Sequence, residues 1–231
     1  MTEAVAALAG TPAPAQKFAA DALLEVRSLS CVRDDRTLFE NLDFSLGSGQ
    51  MLLLEGRNGC GKTSLLRILC GIRLQDDGEI LWGGQNSEKL GPAFHEHIVY
   101  VGHHDGMKRD LTPRENLRFA RSLGRPSSMG IDDALDRMNL YGFEDVITRG
   151  LSAGQQRRLA LSRLLVTDAE LWVLDEPFTS LDVRGIDLFE SIMGEHIDNG
   201  GMIVMTSHHS LTHDYPRVER INLSERGDKV S

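Results

Sequence analysis

Residues 51 to 71 read MLLLEGRNGCGKTSLLRILCG, and this stretch decides the fold. MLLLE is a short continuous apolar run that ends in a glycine-rich turn, and the residues from Thr63 onward carry apolar side chains at helical spacing. Between them Gly56, Arg57, Asn58, Gly59, Cys60, Gly61, Lys62 and Thr63 fit the pattern G-x-x-x-x-G-K-[ST]. The position between a strand and a helix matters as much as the letters. Glycines let the backbone curl so that successive N–H groups and the helix N-terminus point at phosphates, while Lys62 adds a mobile positive charge. Thr63 offers its hydroxyl to Mg²⁺, and Ser64 is expected to touch an α-phosphate. A nucleoside triphosphate with Mg²⁺ is the ligand this loop is built for.

Downstream, Leu171-Trp172-Val173-Leu174-Asp175-Glu176 is an apolar strand ending in two adjacent carboxylates. That ending is costly to bury unless a cation or a substrate compensates it. Asp175 is therefore expected to hold Mg²⁺, directly or through a water, and Glu176 to orient and deprotonate an attacking water. Twenty residues before Asp175, Leu151-Ser152-Ala153-Gly154-Gln155 opens a helix, a segment that many phosphate-loop ATPases lack.

This last segment resembles the LSGGQ signature of ATP-binding-cassette ATPases. The resemblance covers about residues 23 to 215, with Walker A, signature, Walker B and later elements in order. It implies that ATP is the nucleotide and that two copies bind it head to tail. Ser152, Ala153, Gly154 and Gln155 of one copy would meet the γ-phosphate held by Lys62 of the other. Asp182, in Ser180-Leu181-Asp182, matches the loop that lines the dimer seam. His208, after the apolar strand GMIVMTS, matches the histidine that contacts the γ-phosphate, and its neighbour His209 is expected to face solvent as a bystander. Two positions depart from the family pattern. His103, in Tyr100-Val101-Gly102-His103, stands where the family has a metal-ligating Gln. Arg33 stands where an aromatic ring commonly meets adenine; a guanidinium plane can stack there instead.

Working outward, LLEVRSLSCV and TLFENLDFSL alternate apolar and polar residues around Asp34-Asp35, so an antiparallel β subdomain at one edge is expected. Thr112-Pro113 starts a helical stretch, and an inserted α-helical subdomain is expected over about 104–158. Short apolar strands alternating with helices make the rest an α/β phosphate-loop NTPase of RecA type with a mostly parallel sheet. A single ATPase domain spans 22–225. Residues 1–21 read as a disordered Ala/Pro-rich tail and 226–231 as a polar one.

Composition narrows the partners. The 231 residues carry 25 Lys and Arg against 34 Asp and Glu, a net charge of -9, with both signs interspersed, so a nucleic-acid-binding face is not expected. Cys31, Cys60 and Cys70 have no CxxC spacing and read as reduced thiols. No apolar run approaches the eighteen or so residues of a membrane helix. His95, His97, His103 and His104 have no cysteine partners and no metal-ligand spacing, so a dedicated metal or heme site is not expected there.

The phrases CVRDDRTLFENLDFSL, VGHHDGMKRDLTPRENLRF and LSAGQQRRLALSRLL are similar to the ATPase family of the bacterial heme exporter of cytochrome c maturation. That likeness implies a peripheral protein on the cytoplasmic face of the inner membrane, with integral subunits of the CcmB and CcmC type, whose ATP hydrolysis powers translocation. A transporter ATPase for another cargo would share every nucleotide motif. So would a soluble cassette protein acting on ribosomes or DNA.

Overall fold

The computed structural model describes residues 23–213, 215 and 217–224. The expected tails at 1–21 and 226–231 lie outside the described residues. Leu23–Arg33 (β1) and Arg36–Gly47 (β2) pair antiparallel around Asp34 and Asp35, whose φ angles are 52° and 59°. A two-residue turn with positive φ twists in the same sense as the strands it joins, and Asp tolerates that region better than most residues. Next come Met51–Glu55 (β3) and Lys62–Leu69 (α1). Asp77–Trp82 (β4) then returns to pair with β1, and Gln85–Asn86 (β5) pairs with β4. The antiparallel sheet therefore runs β2-β1-β4-β5. Only its first two strands are expected from the sequence pattern.

Two one-turn helices, Ser87–Leu90 (α2) and Pro92–His95 (α3), lead into Ile98–Val101 (β6). The chain then leaves the sheet to build Pro113–Leu123 (α4), Ile131–Arg137 (α5) and Ala153–Val166 (α6). Leu171–Asp175 (β7), Val183–Asp198 (α7), Met202–Thr206 (β8) and Val218–Asn222 (β9) complete the fold. The second sheet is parallel throughout, in the order β6-β7-β8-β3-β9.

Strand side chains alternate in direction, so β3 feeds two cores. Leu52 and Leu54 pack with Leu65 and Leu66 of α1 and with β1 and β2, while Met51 and Leu53 belong to the core that holds α6 and α7. Coverage on both faces is why MLLLE, LWVL and MIVM read as unbroken apolar runs. In register, Asp175 lies beside Thr206, Leu54 beside Thr206, and Val101 beside Leu174. The carboxyl ends of β3, β6, β7 and β8 thus form one edge, the edge where open α/β sheets bind ligands. Among the described residues no helix is long and apolar enough to cross a membrane.

The helical insertion has its own polar anchor. Thr112 caps α4 in a reciprocal box with Glu115, and Pro113 occupies the first turn. One turn on, buried Asn116 donates to the carbonyls of Lys108 and Thr112, each at 3.0 Å, and to Thr148 Oγ1 at 3.1 Å. Its own oxygen accepts from Lys108 N–H at 2.8 Å. This side chain fastens α4 to the loop before it and to the turn before α6. Each buried polar group left without a partner costs about 1–3 kcal/mol, so Asn116→Ala is expected to lower the unfolding free energy in urea by roughly 2–3 kcal/mol. An unchanged urea midpoint would show that water replaces these bonds without loss.

Candidate functional site

The loop between β3 and α1 is shaped by glycine where it meets the helix. Gly61, the N-cap of α1, takes φ 107°, and a Cβ there would sit 3.0 Å from Leu38 Cβ and 3.2 Å from the Phe39 ring. Only glycine combines that backbone with that approach. No side chain caps α1, so its first N–H groups open into the loop, the arrangement that receives anions. Lys62 Nζ curls over the loop and donates to the Gly56 carbonyl at 2.6 Å and the Arg57 carbonyl at 3.4 Å. These are neutral acceptors that a phosphate oxygen outcompetes.

Asp175 ends β7 with its side chain buried, 3% exposed. Thr63 Oγ1 donates to its Oδ2 and Thr206 Oγ1 to its Oδ1, both at 2.9 Å. The carboxylate thereby joins α1, β7 and β8. Its oxygens and the Thr63 hydroxyl are hard donors of the kind Mg²⁺ takes, so the residues present fit that ion.

Glu176 follows with φ 50°, an unusual region for a residue with a Cβ. Its N–H donates to Thr206 Oγ1 at 3.0 Å, which fixes the turn. Its carboxylate accepts from the His208 N–H at 3.2 Å, and the His208 ring Nε2 lies 3.5 Å from the other oxygen. Carboxylate and imidazole thus meet at the sheet edge, a pairing suited to holding a water and taking its proton. His209, expected to face solvent as a bystander, is half-buried. Its ring packs 5.2 Å from that of Phe178, and its Nε2 lies 4.0 Å from Glu190 Oε1. Phe178 follows the Glu176 turn and draws the ring inward.

A cavity of about 490 Å³ gathers Asn58, Gly59, Gly61, Lys62, Thr63, Ser64, Asp175, Glu176 and His208, together with His103, Arg33 and Leu38. Arg33 is exposed and paired with Asp34 at 3.3 Å. The remaining loop residues look elsewhere. Gly56 lines a neighbouring hollow with His209 and Arg220, and Arg57 and Cys60 line a third with Ser224, whose Oγ accepts from the Arg57 N–H at 2.7 Å. Ser152, Ala153, Gly154, Gln155 and Asp182 do not line the main cavity either. Ser152 and Gln155 form a reciprocal capping box at the start of α6, Ser152 and Ala153 are exposed, and Asp182 caps α7 and pairs with Arg158 at 3.2 Å. A Cβ on Gly154 would lie 3.0 Å from the Ser180 carbonyl, so glycine lets α6 approach the turn before α7. The histidines that drew attention as a group are dispersed. His97 pairs with Glu170, the His103 and His104 rings meet edge to face, and among the described residues no three His, Cys, Asp or Glu side chains gather as a metal site would require.

Arg157, which no sequence motif marks, is 2% exposed and uses all five of its N–H donors. They reach the carbonyls of Asp175 (3.2 Å), Glu176 (2.8 Å), Pro177 (3.0 Å) and Gly102 (2.9 Å), and Asp105 Oδ1 at 3.0 Å. One guanidinium therefore sets the turn that aims Glu176 and the loop that carries His103. The available signal was its place in the α6 pattern, on the face shared with apolar Leu161 and Leu164, where an arginine demands a set of buried partners. Arg157→Lys keeps the charge and gives up the planar fork, so two or more carbonyls lose their donor. We expect the urea-derived unfolding free energy to fall by about 2–4 kcal/mol, and a change below about 0.5 kcal/mol would contradict this role.

The family model described as ABC transporter matches residues 39–179. The chain is similar to relatives that carry the name cytochrome c biogenesis ATP-binding export protein CcmA. That of Vibrio vulnificus strain YJ016 is 45% identical over 205 residues, covering 88% of this chain and 100% of the relative. That of Methylococcus capsulatus is 51% identical over 193 residues, covering 83% and 93%, and that of Escherichia coli strain UTI89 is 43% identical over 205 residues, covering 89% and 98%. Among solved structures, a candidate ABC transporter ATP-binding protein from Pyrococcus furiosus superposes with a TM-score of 0.75 at 25% identity, covering 89% of this chain and 99% of that one. A cavity built on a phosphate loop, a fold that superposes on that structure, the family match over residues 39–179 and relatives over most of its length place the chain in the ATP-binding-cassette (ABC) transporter family.

Proposed function

We propose that this chain is the ATP-hydrolysing subunit of the heme exporter of cytochrome c biogenesis, acting as a head-to-tail dimer with integral subunits of the CcmB and CcmC type at the cytoplasmic face of the inner membrane. The likeness to CcmA proteins over nearly the whole chain supports the subfamily. The observation that carries the ATPase reading is the division of the motifs. One cavity collects Lys62, Thr63, Asp175, Glu176 and His208, while the capped helix start at Ser152 lies on the surface outside it.

In this reading Lys62 and the N–H groups of the loop and of α1 hold the β- and γ-phosphates, Ser64 meets the α-phosphate, and Arg33 with Leu38 covers the base. Thr63 and Asp175 would hold Mg²⁺, with His103 nearby, and the ion supplies charge neutralisation to the phosphates. The Glu176 carboxylate takes a proton from a water as its oxygen attacks the γ-phosphorus, the bond to the β-phosphate oxygen breaks, and ADP and phosphate leave. His208 orients the carboxylate and reaches the γ-phosphate. Ser152, Ala153, Gly154 and Gln155 of the second copy close the pocket with a hydroxyl, backbone N–H groups and a helix N-terminus, and Asp182 lines the seam. ATP joins the two copies, and hydrolysis loosens them.

Glu176→Gln should retain ATP binding, lose turnover by ~10²–10⁴-fold and accumulate as an ATP-dependent dimer on size exclusion. Normal hydrolysis by that variant would remove Glu176 from the base position. Lys62→Ala removes a charge-assisted contact and should weaken ATP binding in a calorimetric titration by about 10–100-fold. Unchanged affinity would contradict the phosphate cradle.

A further inference from the structure

We propose that Glu190 is the positioning residue for His208, holding the loop after β8 so that the imidazole stays on Glu176. The inference rests on the ATPase reading above.

Glu190 lies in the middle of α7 and is 1% exposed, beside Phe189, Ile192 and Met193 of the core. A carboxylate is an expensive occupant of such a position unless it collects donors. Here the donors come from the loop that carries His208. Glu190 Oε2 accepts from the His213 N–H at 2.9 Å and from the Thr212 hydroxyl, and the Thr212 N–H lies 3.1 and 3.2 Å from the two oxygens. The Tyr215 hydroxyl adds a bond to the Glu190 carbonyl at 2.9 Å. His209 contributes its ring, packed against Phe178 and 4.0 Å from Glu190 Oε1.

The loop is thus fastened at two ends. β8 holds it at Thr206, and Glu190 holds it at Thr212 and His213. Between them the Ser207 hydroxyl donates to the His209 carbonyl and accepts from the His209 N–H. The His208 side chain is 67% exposed, so packing does not fix its direction. Its direction follows from the backbone, which also places its N–H on Glu176. Without the Glu190 anchor, the segment carrying both contacts to Glu176 loses its second point of attachment. An error of about 1 Å in such a constellation is enough to cost ~10²-fold in rate.

The test is a kinetic cycle on the full chain. We compare kcat, and the affinity for a fluorescent ATP analogue, in Glu190→Ala, His208→Ala and the double variant. The expected result is a kcat loss of ~10–100-fold for Glu190→Ala, with analogue affinity within about twofold, and no further loss when the substitution is added to His208→Ala. Thr212→Val, at an exposed position, removes one donor and should give a smaller loss that also vanishes in the His208→Ala background. It decides the matter if Glu190→Ala does not fold. Equal losses with and without His208, or an unchanged kcat in Thr212→Val and Glu190→Ala, overturn the proposal while leaving the ATPase reading intact. If His208→Ala itself keeps full turnover, the assignment of His208 fails, and Glu190 as its positioner fails with it.

Discussion

One carboxylate organises the carboxyl edge of the parallel sheet. Asp175 is buried at the end of β7, and two threonine hydroxyls, one from α1 and one from β8, each occupy one of its oxygens. Buried charge without compensation is among the costliest features a fold can carry, so the surroundings are constrained to supply donors or a cation. Thr206 serves twice, giving its proton to Asp175 and accepting the N–H of Glu176. The unusual backbone of Glu176 follows from that constraint, and Arg157 supports it from behind by collecting the carbonyls of residues 175, 176 and 177. The phosphate loop, the two carboxylates and the His208 loop are therefore parts of one bonded unit.

The same unit explains why the helical insertion and the sheet work together. Arg157 belongs to α6, whose capped start presents Ser152 and Ala153 on the surface, and its guanidinium reaches both the Glu176 turn and the loop of His103. Arg158, next to it, reaches Asp182 at the start of α7. On the proposed reading, the face of α6 that meets the second copy and the turn that aims the base share one rigid helix. Closure of the dimer and alignment of Glu176 then cannot be separated. On the same reading a second copy is needed, because the cavity holds the groups that bind and activate while the helix start that would neutralise the terminal phosphate lies outside it.

Much of this was legible before the fold was seen. The parallel sheet announced itself because strands covered on both faces read as unbroken apolar runs, and α4 announced its start through Thr112-Pro113. Asn58, Gly59, Gly61, Lys62, Thr63 and Ser64, together with Asp175, Glu176, His208, His103 and Arg33, converge on one cavity, whereas Gly56, Arg57 and Cys60 of the same loop line neighbouring hollows. What stayed hidden had a weaker local signal. β9, read VERIN, is an edge strand with no fully buried residue, and β4 opens on Asp77 and Gly78, so neither alternates cleanly. Arg157 and Glu190 are charged residues inside helices, and pattern alone assigns such residues to solvent. Their function lies in carbonyls and N–H groups contributed by distant loops, which only the tertiary fold brings together. The partial cover of His209 was hidden for the same reason, since Phe178 is 31 positions away in sequence.

The most direct measurement is a structure of the full chain saturated with Mg²⁺ and a non-hydrolysable ATP analogue. The account predicts two copies head to tail, with the metal drawn to Thr63 and Asp175 and the terminal phosphate between Lys62 of one copy and Ser152 of the other. A single chain enclosing the analogue with Ser152 remote from every phosphate, or an analogue seated away from Lys62 and Asp175, would contradict it.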